Sequence, residues 1–189
     1  MSKIIMRQDT RILTPREWDR MRRHLNAKYM LICDVVLHSG MRWEEFWDLL
    51  DHPEWFEPSR KCIDLPKSAI KKVKSVYKER TIRLTVDGCD AVKALLRANG
   101  SITYTDRASV GAVLKLAAKK AGIGDTGITP KMFRKTMVSW LIVCYPEKAF
   151  AISASIGHDL ETMRIHYANL AFERRDVEDM RKFLQGWGE

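Results

Sequence analysis

The chain has 189 residues, 46% of them hydrophobic and 30% charged, a balance that excludes a disordered chain and supplies one buried core. Its formal charge is +9, from 33 Lys and Arg against 24 Asp and Glu, which suits a polyanionic partner such as nucleic acid but equally describes a solvated lysine surface. No apolar run approaches the roughly 20 residues that span a bilayer and the first ten residues are too polar for a signal peptide, so an intracellular protein without membrane contact is expected.

Thr14-Pro15-Arg16-Glu17 reads as a helix start, with a threonine cap, proline at the first helical position and glutamate three residues after the cap; the helix is predicted from Pro15 to His24. A second helix is predicted over Ala27 to Leu37, stopping at Ser39-Gly40, and a third over Trp43 to Leu50. Pro53 and Pro58 mark a loop. Cys62 to Leu65 and Arg80 to Leu84 alternate in the strand sense across a lysine-rich stretch, which predicts a small antiparallel hairpin or sheet. Few other strand candidates exist.

From Asp87 the chain turns helical again, over Cys89 to Arg97 and Ala108 to Ala121, closed by Asn99-Gly100 and Gly122. Pro130 opens a helix bearing Lys131, Arg134 and the apolar row Met137, Trp140, Leu141 and Cys144, which ends at Tyr145-Pro146. Short helices are predicted over Glu147 to Ser155 and Leu160 to Tyr167, followed by an amphipathic helix from about Phe172 to Leu184. The expected fold is therefore mainly α with a small antiparallel β-sheet, in one domain. Cys33, Cys62, Cys89 and Cys144 have neither C-x-x-C spacing nor a disulfide framework and are expected to be buried as small apolar residues. His24, His38, His52 and His166 have no metal-ligand spacing, and Trp18, Trp43, Trp47, Trp55 and Trp140 are expected in the core.

Four separated pieces carry chemistry. They are Arg42 within Ser39-Gly40-Met41-Arg42-Trp43-Glu44-Glu45, then Lys131-Met132-Phe133-Arg134, then Gly157-His158, then Tyr167 nine residues later. A phosphodiester gains negative charge on its non-bridging oxygens in the transition state, and guanidinium forks can neutralise it. A tyrosine can serve as the nucleophile. Lys131 and Arg134 are three apart and share a helical face, so both can reach one phosphate, although a lone K-x-x-R is more often a solvated basic face. Glu45 lies three residues beyond Arg42, placed to orient that arginine or a neighbour rather than to react.

In order and spacing these pieces resemble the tyrosine recombinase family, the phage-type integrases and Xer-like enzymes. Ser39-Gly40-Met41-Arg42 through Leu49 matches the family's T/S-G-x-R-x-x-E-x-x-x-L box, and Gly157-His158 followed by Tyr167 matches its last motif. The resemblance covers roughly Leu13 to Leu170. It departs at Lys131, where most members have histidine and where lysine resembles type IB topoisomerases, and at Arg164, where a threonine often stands. The hairpin lysine of the family aligns best with Lys74, with Lys72 and Lys71 behind it, and Arg83 replaces the proline of the following strand.

The resemblance implies a catalytic set of Arg42, Lys74, Lys131, Arg134, His158 and Tyr167, acting on double-stranded DNA through a 3′-phosphotyrosyl intermediate with no cofactor, neither metal nor ATP. It implies self-association as a tetramer on paired sites. It places the core at about residues 12–170, treats the family's N-terminal DNA-clamping domain as absent, and makes residues 172–189 either a segment exchanged between protomers, with Val177, Met180, Phe183 and Leu184 as its docking face, or a helix that packs back on its own domain. The alternatives are DNA relaxation of the type IB topoisomerase kind and a catalytically inactive DNA-binding protein on the same fold.

Overall fold

The computed structural model describes residues 4–69, 79–161, 163 and 170–188. It is built from eight α-helices and two small antiparallel sheets among those residues. The chain opens with a hairpin of β1 (Ile5–Arg7) and β2 (Thr10–Ile12), which the sequence reading missed. Its two-residue turn, Gln8-Asp9, takes φ of 47° and 59°, the left-handed pair that matches strand twist but is usually signalled by Asn-Gly or Asp-Gly. Arg11 anchors this hairpin from within. It donates to the Ile123 carbonyl at 2.7 Å and to the Glu17 carboxylate, a buried ion pair.

Helix α1 (Pro15–Arg22) starts with the capping box expected from Thr14 and Glu17. Helix α2 (Ala27–Ser39) is buried along its second half and ends at Gly40, whose φ of 61° closes the cap. Helix α3 (Trp43–Asp51) follows at once, with Arg42 as its N-cap. The predicted Cys62–Leu65 and Arg80–Leu84 pairing forms as β4 (Cys62–Leu65) against β5 (Arg80–Arg83), joined by a third short strand, β3 (Phe56–Glu57), in the order β3-β4-β5. The segment between β4 and β5 that holds Lys71, Lys72 and Lys74 lies largely outside the described residues, as does most of the predicted Leu160–Tyr167 helix.

Helices α4 (Val86–Arg97) and α5 (Arg107–Lys120) follow, then the central α6 (Lys131–Cys144), α7 (Ala149–Ile156) and α8 (Arg174–Phe183). Helix α6 packs against α2, α7, α8 and β2, so its Met132, Phe133, Met137, Val138 and Leu141 form the middle of one continuous core. Trp18, Trp43 and Trp140 are buried as expected; Trp47 and Trp55 are half-buried against the core. All four cysteines are buried and unbridged.

The carboxyl end lies on its own domain in this chain. Met180, Leu184 and Trp187 are buried, Trp187 Nε1 donates to the Arg83 carbonyl at 3.1 Å, and Arg16 on α1 bonds Asp179 at 3.1 Å. No helix among the described residues is long and apolar enough to cross a membrane.

Candidate active site

Two helix ends build the site. Gly40 closes α2 and Gly157, with φ of 71°, closes α7; both terminate in left-handed caps that leave carbonyl oxygens unpaired at the negative end of a helix dipole. Arg134, on the first turn of α6, bridges them. Its Nη1 donates to the Gly40 carbonyl at 2.7 Å and its Nη2 to the Ile156 carbonyl at 2.5 Å. Both glycines hold positive φ, and a Cβ would in addition displace a neighbour: on Gly40 it would lie 2.8 Å from Ile156 Cδ1, and on Gly157 2.9 Å from Arg80 Nη1.

With the two ends clasped, the residues that follow each are brought together. Arg42, two positions past Gly40, donates from Nη1 to Glu45 Oε1 at 2.6 Å and weakly from Nη2 to the Gly157 carbonyl at 3.4 Å. Its backbone N–H bonds Glu45 Oε2 at 2.7 Å. His158, one position past Gly157, is fixed by Ser153: the His158 amide donates to the Ser153 carbonyl, and Ser153 Oγ donates to the His158 carbonyl at 2.6 Å.

A cavity of about 260 Å³ opens at this junction, lined by Arg42, Arg107, Lys131, Arg134, Lys135 and His158 over an apolar floor of Val36, Met41, Trp43 and Pro130. No carboxylate lines it among the described residues. The crowding of positive charge is felt at its rim, where burial and the neighbouring Lys131 ammonium both push the Lys135 ammonium below its ordinary range. Arg107 and Lys131 also line a shallower adjoining groove with Lys115, so the basic surface extends beyond the cavity.

At the rim Glu44 pairs with Arg107, and behind the cavity the negative charge sits in Glu45. Burial pushes its carboxyl upward, but the attraction of Arg80, Arg42 and Arg134 together with the Arg42 amide outweighs burial and holds it below the usual carboxylate range. Glu45 is thus an ionised counterion shared among arginines. Arg80 bonds its Oε2 at 2.5 Å from a fully buried position on β5.

Of the six residues expected to form the site, Arg42, Lys131, Arg134 and His158 line one cavity. Tyr167 and Lys74 lie outside the described residues. Arg80, Arg107 and Lys135 were not singled out from the sequence. For Arg80 a signal existed, since strand alternation puts it on the same face as buried Ile82. Lys135 stands four residues after Lys131 and shares its helical face, a local signal that was present, whereas Arg107 reaches the cavity from α5, which no local pattern reveals. Among the described residues, no cluster of His, Cys, Asp and Glu has the makings of a metal site.

No sequence-family model and no curated protein sequence matches this chain. Solved structures do. The Tn1549 transposon integrase in complex with circular intermediate DNA superposes with a TM-score of 0.66 over 90% of this chain and 66% of that one, at 15% identity. XerA recombinase gives 0.62 over 90% and 61%, at 17% identity. XerH site-specific recombinase bound to its difH substrate gives 0.62 over 88% and 52%, at 18% identity. The fold is that of a tyrosine recombinase catalytic domain. The chain spans about half to two-thirds of the length of these recombinases. The tyrosine recombinase fold explains why residues distant in sequence share one cavity: it ends α2 and α7 side by side at the start of α6.

Proposed function

We propose that this chain is the catalytic domain of a site-specific DNA recombinase that cuts and rejoins duplex DNA through a covalent tyrosine link. The observation that carries this reading is the convergence of Arg42, Lys131, Arg134 and His158 on a cavity that no carboxylate lines among the described residues, with Arg134 held by two main-chain carbonyls and Arg42 by Glu45. Such forks are pre-organised for a phosphodiester whose non-bridging oxygens gain charge in the transition state.

In this mechanism the Tyr167 phenolic oxygen attacks the scissile phosphorus and gives up its proton to His158, and the bond to the 5′-oxygen breaks. Lys74 delivers a proton to that leaving oxygen, producing a free 5′-hydroxyl and a 3′-phosphotyrosyl link. Arg42 and Arg134 clamp the non-bridging oxygens, while Lys131 and His158 complete the charge-stabilising and proton-handling set. The covalent link conserves the phosphodiester energy, so a 5′-hydroxyl from a partner strand can reverse the step without ATP. Paired sites would be brought together by self-association as a tetramer, with the carboxyl-terminal segment as the exchanged element.

The test is covalent capture. Nicked suicide duplexes with randomised arms are incubated with the protein, and denaturant-resistant adducts are recovered and sequenced. Wild-type protein should form an adduct and Tyr167→Phe none; absence of any adduct would remove the enzymatic reading and leave DNA binding on this fold. Lys131 supports a second reading, DNA relaxation of the type IB topoisomerase kind. Relaxation of a plasmid carrying one captured site, without exchange between two, would decide for it.

A further inference from the structure

Arg80 is out of place for a residue on the inner face of a small sheet. Its side chain is 1% exposed, yet it has one ionic partner, Glu45, which Arg42 already shares. Among the described residues its Nε and Nη1 have no hydrogen-bond partner. A buried guanidinium with a half-shared carboxylate is costly, and an apolar side chain at that position would pack beside Ile82 without the cost. Arg80 also fills the space behind Gly157, where its Nη1, Cδ and Cζ stand within 3.5 Å of the position a Cβ would take.

We propose that Arg80 is a positioning residue for the phosphate clamp: through Glu45 it fixes the orientation of Arg42, and by backing Gly157 it fixes the turn that presents His158. This rests on the reading of the cavity as a phosphodiester site. The geometry accounts for the form of the residue. Glu45 has two oxygens; Oε1 receives Arg42 Nη1, while Oε2 receives both the Arg42 amide and Arg80 Nη2. Without a second cation behind it, the carboxylate would be held by Arg42 alone and would be drawn further toward Arg134 and the cavity, neutralising charge meant for the phosphate. Arg80 holds it back. A lysine would keep the charge but not the planar fork that reaches Glu45 and Gly157 together.

The experiment uses the full chain with Arg80→Lys and Arg80→Met, after circular dichroism and thermal melting establish that they fold. A 15N-edited guanidinium spectrum reports the Arg42 side chain without any DNA: rotation restrained in wild type should become measurably faster in both variants, and an unchanged Arg42 signal overturns the proposal. On a duplex recovered by covalent capture, DNA affinity should stay within about threefold while the adduct-forming rate falls ~10–100-fold, as for a misplaced catalytic group. On the same duplex with a neutral methylphosphonate at the scissile position the loss should shrink to about threefold, because the clamp then has less charge to hold. Equal loss on both linkages marks a merely structural role and overturns it. Should neither variant fold, Glu45→Gln cuts the same coupling from the other side and must show the same split. If wild type forms no adduct, the recombinase reading fails while the guanidinium spectrum still decides the role of Arg80.

Discussion

Arg134 donates to the Gly40 carbonyl at 2.7 Å although 94 positions separate the two in the chain. With its second bond, to Ile156, the arginine acts as a clasp between two helix ends, and its catalytic and structural tasks are inseparable. Arg134→Ala should cost about 2 kcal/mol, in the range for hydrogen bonds to a charged group, and abolish adduct formation. Arg134→Lys should recover part of the stability but little of the activity, since an ammonium cannot span both carbonyls. Urea denaturation alongside the adduct assay checks both.

Gly157 and Gly122 offer a matched comparison. Both take positive φ, 71° and 67°, but a Cβ at Gly122 meets open space whereas one at Gly157 meets Arg80. Gly122→Ala should cost about 1 kcal/mol, the backbone penalty alone. Gly157→Ala should cost about 1 kcal/mol more and impair cleavage, since Arg80 or the His158 turn must give way. Equal melting temperatures for the two variants would contradict the close packing described around Arg80.

The arginine motif and the Gly-His turn were legible in the sequence because each is a short local signal: a helix stop, a cap and a fixed offset. The site's floor and rim were not. Lys135 carries a local mark, four residues from Lys131 on one helix, but Arg107 arrives from α5, whose placement is set by long-range core packing of residues such as Val110 and leaves no mark in local spacing. The fold class was readable from periodicity, down to the β4–β5 pairing and the capping box at Thr14. The first hairpin was not, because its strands are three residues long and its turn, Gln8-Asp9, uses left-handed backbone without a glycine. Arg80 was visible only as a letter in a strand; its inward face became meaningful once Glu45 was found beneath it.

His38 gives the fold a pH dependence away from the cavity. It is buried on α2, Nδ1 2.9 Å from Thr85 Oγ1 and the ring stacked 5.7 Å from Phe183. Burial pushes the imidazole below its ordinary value of 6.5; nearby Asp34 and Asp87 oppose this in part, and Arg22 adds to it. The unfolded chain therefore binds the proton more readily than the folded one, so His38 contributes full stability above about pH 6.5 and loses it as pH falls toward the folded value. Denaturation midpoints should drop between pH 7.5 and 5.5, and His38→Gln should flatten that slope.

Trp187 sets the strength with which the carboxyl end lies on its own domain. It is 2% exposed and bonds the Arg83 carbonyl on β5. Trp187→Ala should cost about 3–5 kcal/mol, as for other large buried aromatics. A much smaller loss in dilute solution, read by chemical denaturation, would mean that the segment is not seated there in the monomer and is available to a neighbour.

The cavity that gathers Arg42, Arg107, Lys131, Arg134, Lys135 and His158 is, when empty, a site in electrical tension. Five cations crowd it, and the carboxylates that balance them, Glu45 against Arg42 and Glu44 against Arg107, are not part of its lining. Any oxyanion that settles among the cations relieves their repulsion and binds the folded form alone, so it acts on the whole domain as a stabiliser by mass action. Heat resistance thereby reports binding: sulfate or phosphate should raise the melting temperature with the logarithm of its concentration once above the dissociation constant, before any DNA sequence is known.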